Sequence, residues 1–117
     1  MSRELDEQVA RALGWTEMEL RKTPQLFFPG QYDETLYGLD PEGRTPTRVP
    51  YFSRDPTTTP TLLAEIERRD LIIMYLAALR RITRDGNVDD WWQDWKFLTA
   101  TPEQHSRAFV EAINAAA

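Results

Sequence analysis

All of the chain's eight prolines except Pro102 fall between Pro24 and Pro60, interleaved with Gly30, Gly38 and Gly43. Proline lacks the N–H that a helix needs and glycine disfavours helix, so no helix of ordinary length fits there. What fits is short extended pieces: Leu26-Phe27-Phe28, Thr35-Leu36-Tyr37 and Arg48-Val49-Pro50-Tyr51-Phe52, with Asp40-Pro41-Glu42-Gly43 as a turn between two of them. The stretch holds too many apolar aromatics for a linker. It is expected to be a docked, irregular or weakly paired β layer.

Helical signals lie on both sides of this layer. Ser2 is a capping residue, Glu4 sits in the first turn, and Leu5, Val9, Ala12 and Leu13 recur on one face. Gly14 and Trp15 fit the last two positions of a Schellman stop, which folds the indole back toward Val9. Thr16-Glu17-Met18-Glu19 has the pattern of a capping box and predicts a short second helix that Pro24 would end. Thr59-Pro60 opens another helix with Leu62, Leu63 and Ile66 as its buried stripe, and Arg68-Arg69-Asp70 breaks it. Leu71, Ile72, Tyr75, Leu76, Leu79 and Ile82 then recur every three or four residues. A strand from Leu71 to Leu76 is the alternative, but Ala77-Ala78-Leu79-Arg80-Arg81 favours helix, and in either form the stretch is expected to be core.

Asp85-Gly86-Asn87 reads as a turn, and Trp95-Lys96-Phe97-Leu98-Thr99 alternates like a half-buried strand. Thr101-Pro102-Glu103-Gln104 combines a capping hydroxyl, proline at the first helical position and glutamine at the third. Ala108, Phe109, Ala112, Ile113 and Ala116 face inward from the helix it opens. The expectation is one domain over residues 1–117. Its class is α+β and helix-rich: a small antiparallel or mixed sheet packed with about three to four helices, the N- and C-terminal helices lying on the core.

Charge and composition remove several function classes. A net charge of −5 opposes general affinity for nucleic acid, whose phosphates are bound by Lys and Arg. The longest apolar run, Leu71 to Leu79, is too short for a bilayer that needs about 20 residues, and the N-terminus is too polar for a secretory signal. No membrane association and a cytoplasmic location are therefore expected. With no cysteine, disulfides, thiol nucleophiles and cysteine metal sites are excluded together.

Reactive chemistry finds little support. The single histidine, His105, falls in the first turns of the last helix and reads as a packing residue. Ser2, Ser53 and Ser106 lie in no Gly-x-Ser-x-Gly elbow, and no glycine-rich phosphate cradle occurs. Asp85-Gly86-Asn87-Val88-Asp89-Asp90 starts like a calcium loop but has Asp90 where glycine is needed and Lys96 where a bidentate glutamate is needed. No catalytic residue, metal or cofactor is expected, and the chain is expected not to be an enzyme.

Binding is better motivated. Arg68, Arg69, Arg80, Arg81 and Arg84 precede Asp85, Asp89, Asp90 and Asp94, which suggests solvated helix faces or an arginine-lined anion pocket with an acidic rim. Trp91, Trp92 and Trp95 cannot all enter one small core from a strand or loop, so at least one is expected on a surface or at a partner. Trp91, Trp92, Trp95, Arg80, Arg81, Arg84, Asp89 and Asp90 are the candidate binding residues.

Three blocks of the chain resemble the phage ABA sandwich domain family. They are Leu5-Asp6-Glu7-x-Val9-Ala10-x-x-Leu13-Gly14-Trp15, Val49-Pro50-Tyr51-Phe52-Ser53-x-Asp55 leading into Leu62–Arg69, and Ala100-Thr101-Pro102-Glu103-Gln104-x-x-Arg107-Ala108. The resemblance implies a small α/β-layered protein of a phage or prophage, with no established catalytic residues to carry over. The helix-like Leu71 to Ile82 stands where members carry glycine-rich strands, which implies a smaller sheet. The implied function is an anti-CRISPR-like accessory protein that blocks a host defence protein in the host cytoplasm. An oligomeric sponge for a nucleotide second messenger is the alternative, and a structural phage component a further one.

Overall fold

The computed structural model describes residues 2–43, 45–84 and 97–116. Along them run α1 (Ser2–Ala12), β1 (Thr16–Pro24), β2 (Tyr32–Leu39), β3 (Pro46–Arg48), α2 (Thr59–Arg68), α3 (Ile72–Thr83) and α4 (Pro102–Ala116), with a 3-10 turn at Pro56–Thr58 before α2. The fold is α+β: an antiparallel three-stranded sheet in the order β1-β2-β3 stands beside a helical core. Trp91, Trp92, Trp95, Asp89 and Asp90, the Asp85 turn and the calcium-loop-like run lie outside the described residues.

The helix ends follow their local chemistry. Trp15 N–H donates to the Ala10 carbonyl at 3.0 Å and Gly14 N–H to Arg11 at 3.1 Å, the bond pair of a Schellman stop. Gly14 takes φ +103°, which suits glycine. The same pattern ends α2, with Leu71 N–H on Ile66 and Asp70 N–H on Glu67, but Asp70 occupies the left-handed position at φ +58°. At α4 the capping box is complete: Thr101 N–H donates to Gln104 Oε1 at 2.9 Å and Gln104 N–H to Thr101 Oγ1 at 3.2 Å. The start of α2 differs from expectation. Its cap is Thr58, whose hydroxyl bonds the Asp55 carbonyl, while the Asp55 carboxylate takes up the Thr57 N–H and so starts the 3-10 turn.

The expected short helix at Thr16 is instead β1. It pairs with β2 from Thr16↔Leu39 to Pro24↔Tyr32. Thr16 and Glu17 do not cap because Glu17 sits at φ +52° in a β-bulge, where Glu17 and Met18 together oppose Gly38. A Cβ on Gly38 would lie 2.7 Å from Met18 Cγ, so the bulge requires glycine there. Leu26-Phe27-Phe28, expected to be extended, forms the tip between the two strands. Gln25 and Gln31 close that tip with a backbone bond of 3.0 Å. The Asp40–Gly43 turn occurs as expected, with Gly43 N–H on the Asp40 carbonyl at 2.8 Å.

The core is mainly helical. α4 packs against α1, α2 and α3 and brings Ala108, Phe109 and Ala112 onto Val9, Ala10, Leu62, Ile66, Tyr75 and Leu79. Val49 and Phe52, from the segment after β3, complete it. The Phe52 carbonyl accepts the buried Ser106 hydroxyl of α4 at 2.8 Å. The sheet meets this core at its base, through Trp15, Met18 and Leu36, while the far end of the β1–β2 hairpin carries exposed Leu26, Phe27, Phe28 and Tyr32. Two expectations are corrected: Leu63 is exposed, not buried, and Phe97 and Leu98 are helical, not strand.

Candidate functional site

α3 has two faces of different character. Tyr75, Ala78, Leu79 and Thr83 turn inward and are buried. Ile73, Leu76, Ala77 and Arg80 fall three and four residues apart on the outside, and the stripe continues to Arg84 at the helix end. Ile73 is 85% exposed, and Ile72, Met74 and Leu76 are exposed around it. The expectation that Leu71 to Ile82 is wholly core is therefore corrected: it is helix, but half of it faces out. The signal was present in the sequence. From Leu71 to Leu79 no position is polar apart from the Tyr75 hydroxyl, and one side of a helix cannot bury an apolar residue at every position.

At its C-terminal end the face turns cationic. Arg80 and Arg84 are exposed and no ion pair involves them among the described residues. Arg81 is bound to Glu111 of α4, and that carboxylate raises its pKa further. Two basic residues in the last turn also suit the negative end of the helix dipole. Arg68 and Arg69 are committed elsewhere. Both pair with Glu65, whose pKa is lowered chiefly by the Arg68 hydrogen bond, and Arg69 Nη2 donates to the Ala12 carbonyl at 2.6 Å, joining the ends of α1 and α2. The five arginines are thus divided between two salt-bridged groups and an exposed pair.

A concavity lies away from α3. A cleft of about 620 Å³ opens between the end of α1, the β2–β3 turn and α2, with Leu13, Trp15, Pro41, Pro50 and Phe52 among its walls. Glu65 and Arg68 stand at its side, already paired with each other. Sequence reasoning placed Trp15 against the core, and the indole does pack there, but it also borders this cleft.

The groups with reactive potential hold the fold. His105 is half-buried beside Tyr75, their rings stacked 6.2 Å apart at 10° and Nδ1 bonded to the tyrosine hydroxyl. Burial lowers the His105 pKa and raises that of Tyr75, so a neutral imidazole faces a phenol that keeps its proton. Asp6 is 4% exposed and accepts the Ser53 N–H at 2.7 Å. Burial raises its pKa, against the lowering effect of the Ser53 bonds and Arg54. Among the described residues no three His, Asp or Glu side chains cluster in a way that would hold a metal, and no helix is long and apolar enough to cross a membrane. Compared with family models, with curated proteins and with solved structures, the chain matches none.

Proposed function

We propose that this protein is a non-catalytic binding protein that seats the outer face of α3 in an apolar, carboxylate-rimmed groove of another protein and blocks it. The observation that carries this reading is the stripe from Ile73 through Leu76 and Ala77 to Arg80 and Arg84, apolar at one end and cationic at the other. Anchors at these spacings are those of a helix laid in a groove, and the two exposed guanidiniums, unpaired among the described residues, call for acidic side chains at one end of it. Further support comes from Asp6, Tyr75, His105 and Ser106, each of which is engaged in packing or in bonds across the fold. The resemblance to phage ABA sandwich proteins supplies the setting of the proposal: an accessory protein of a phage or prophage that counters a host defence protein in the host cytoplasm.

The test is capture from an extract of a phage-sensitive host on immobilised protein, comparing wild type with Ile73→Asp and with Arg84→Glu. Both positions are exposed, so the variants keep the fold. One protein retained by wild type, and retained at least about tenfold less by each variant, is the expected result. Equal retention by all three, or none by wild type, contradicts the reading.

A further inference from the structure

We infer that two copies of this chain dimerise through the β1 edge, each inserting its hairpin tip at the base of the other's hairpin, over the cleft beside Trp15. This inference does not use the α3 face and goes beyond the function proposed from it.

Among the described residues β1 is an edge strand of the sheet, and one side of its backbone is open to pairing with another strand. When a strand pairs antiparallel with its own copy about a two-fold axis normal to the sheet, some residue must face itself. Glu19, Arg21 or Lys22 on the axis would set like charges face to face, which is unfavourable. Leu20 on the axis sets two half-exposed leucines together and places Glu19 of each copy opposite Arg21 of the other, twice. The two side chains already share one face of the strand, where they pair within the chain at 2.7 Å. Among the uncharged positions Met18 would set Glu17 against Glu19 and Thr23 would set Lys22 against Pro24, so Leu20 is the centre that brings opposite charges face to face.

Leu20 also lies near the middle of Thr16–Pro24, the bulge shortening the Thr16 side by one step. Counted on β2, Thr16 lies three steps from the axis and Pro24 four, about 10 Å and about 14 Å, so a tip beginning at Pro24 of one copy reaches just past Thr16 of the other, where the cleft begins. The tip of one copy arrives at the Leu13–Trp15 base of the other. Within one chain the same two features sit at opposite ends of the hairpin, about 24 Å apart, and cannot meet.

The surfaces match in character and in area. Residues 24–32 carry no charge, and Leu26, Phe27 and Phe28 are 86%, 82% and 59% exposed. At about 200 Å² per large side chain they offer on the order of 400 Å² of apolar surface. The cleft that would receive them is walled by Leu13, Trp15, Pro41, Pro50 and Phe52. One insertion buries about 800 Å² counting both surfaces, the size of a casual contact, whereas two related by symmetry bury about 1,600 Å², the size of a stable interface.

Sedimentation equilibrium tests the state: the expected mass is twice the 13.6 kDa of the chain. Since the sequence has no cysteine, Leu20→Cys should oxidise to a covalent dimer, because facing Cα atoms across a ladder lie within disulfide reach, and Ala77→Cys on α3 should not. Glu19→Arg and Arg21→Glu should each weaken the dimer by about tenfold or more, and an equimolar mixture of the two should recover it, both cross-strand pairs then being opposite in sign. Phe27→Asp should weaken it as well. A wild type that stays monomeric at about 100 µM, a dimer that Leu20→Cys fails to cross-link, or a mixture that stays monomeric overturns the inference. So does a tip that becomes protected only when a different protein or a lipid vesicle is added.

Discussion

Asp6 and His105 respond to pH in opposite senses. The His105 pKa lies below its ordinary 6.5 because burial disfavours the imidazolium, so below that value the unfolded chain binds the extra proton first. The stability this group contributes is complete above 6.5 and is lost as pH falls through the folded value. Urea midpoints measured at about pH 7.5 and pH 5 should fall less for His105→Gln than for wild type; an equal fall contradicts it. The Asp6 carboxyl has a raised pKa, so its contribution is complete below 3.8 and is lost as pH rises through the folded value. Asp6→Asn keeps an acceptor for the Ser53 N–H. Its urea midpoint relative to wild type should therefore rise between about pH 3.5 and pH 6, and a constant or falling difference contradicts the assignment. Neither environment was legible in the sequence: the partners are 47 and 30 residues away, and no spacing rule connects them.

At the scale of elements, caps were the most legible feature. Gly14-Trp15 and Thr101-Pro102-Glu103-Gln104 act over four or five residues, so their bonds could be anticipated from the sequence and form as anticipated. Thr16-Glu17-Met18-Glu19 has the same local pattern and becomes strand, because the pairing with Tyr32–Leu39 that decides the matter lies beyond any local window. α3 was legible as a helix but not in its orientation, since nearly every position is apolar and periodicity cannot say which half faces the core. Two substitutions test these assignments by urea unfolding. Asp70→Gly relieves a left-handed residue at a helix end and should stabilise by about 0.5–1 kcal/mol, whereas a loss would argue against that conformation. Phe109→Ala removes a fully buried ring where α4 meets the other helices and should cost about 3–5 kcal/mol. A cost under about 1 kcal/mol would mean that α4 is not the centre of the core.

For the molecule as a whole, a radius of gyration of 16.2 Å exceeds the about 13 Å of a compact domain of this length. The extended outline and the exposed apolar surface go together: one patch lies along α3 and another at the hairpin tip. Of the candidate site, the sequence identified Arg80, Arg81 and Arg84 at the end of α3. It did not identify the apolar half of that stripe, whose residues were expected to be core. Arg81 moreover proves to be held by Glu111, a pairing across two helices that no local pattern signals. The outer face of α3 is the proposed docking face. Amide hydrogen exchange on the complex with the captured protein measures this directly. Slowed exchange along Ile72–Thr83, absent from Ile73→Asp mixed with the same protein, is the predicted result. Protection confined to other elements, with α3 exchanging as in the free chain, would contradict it.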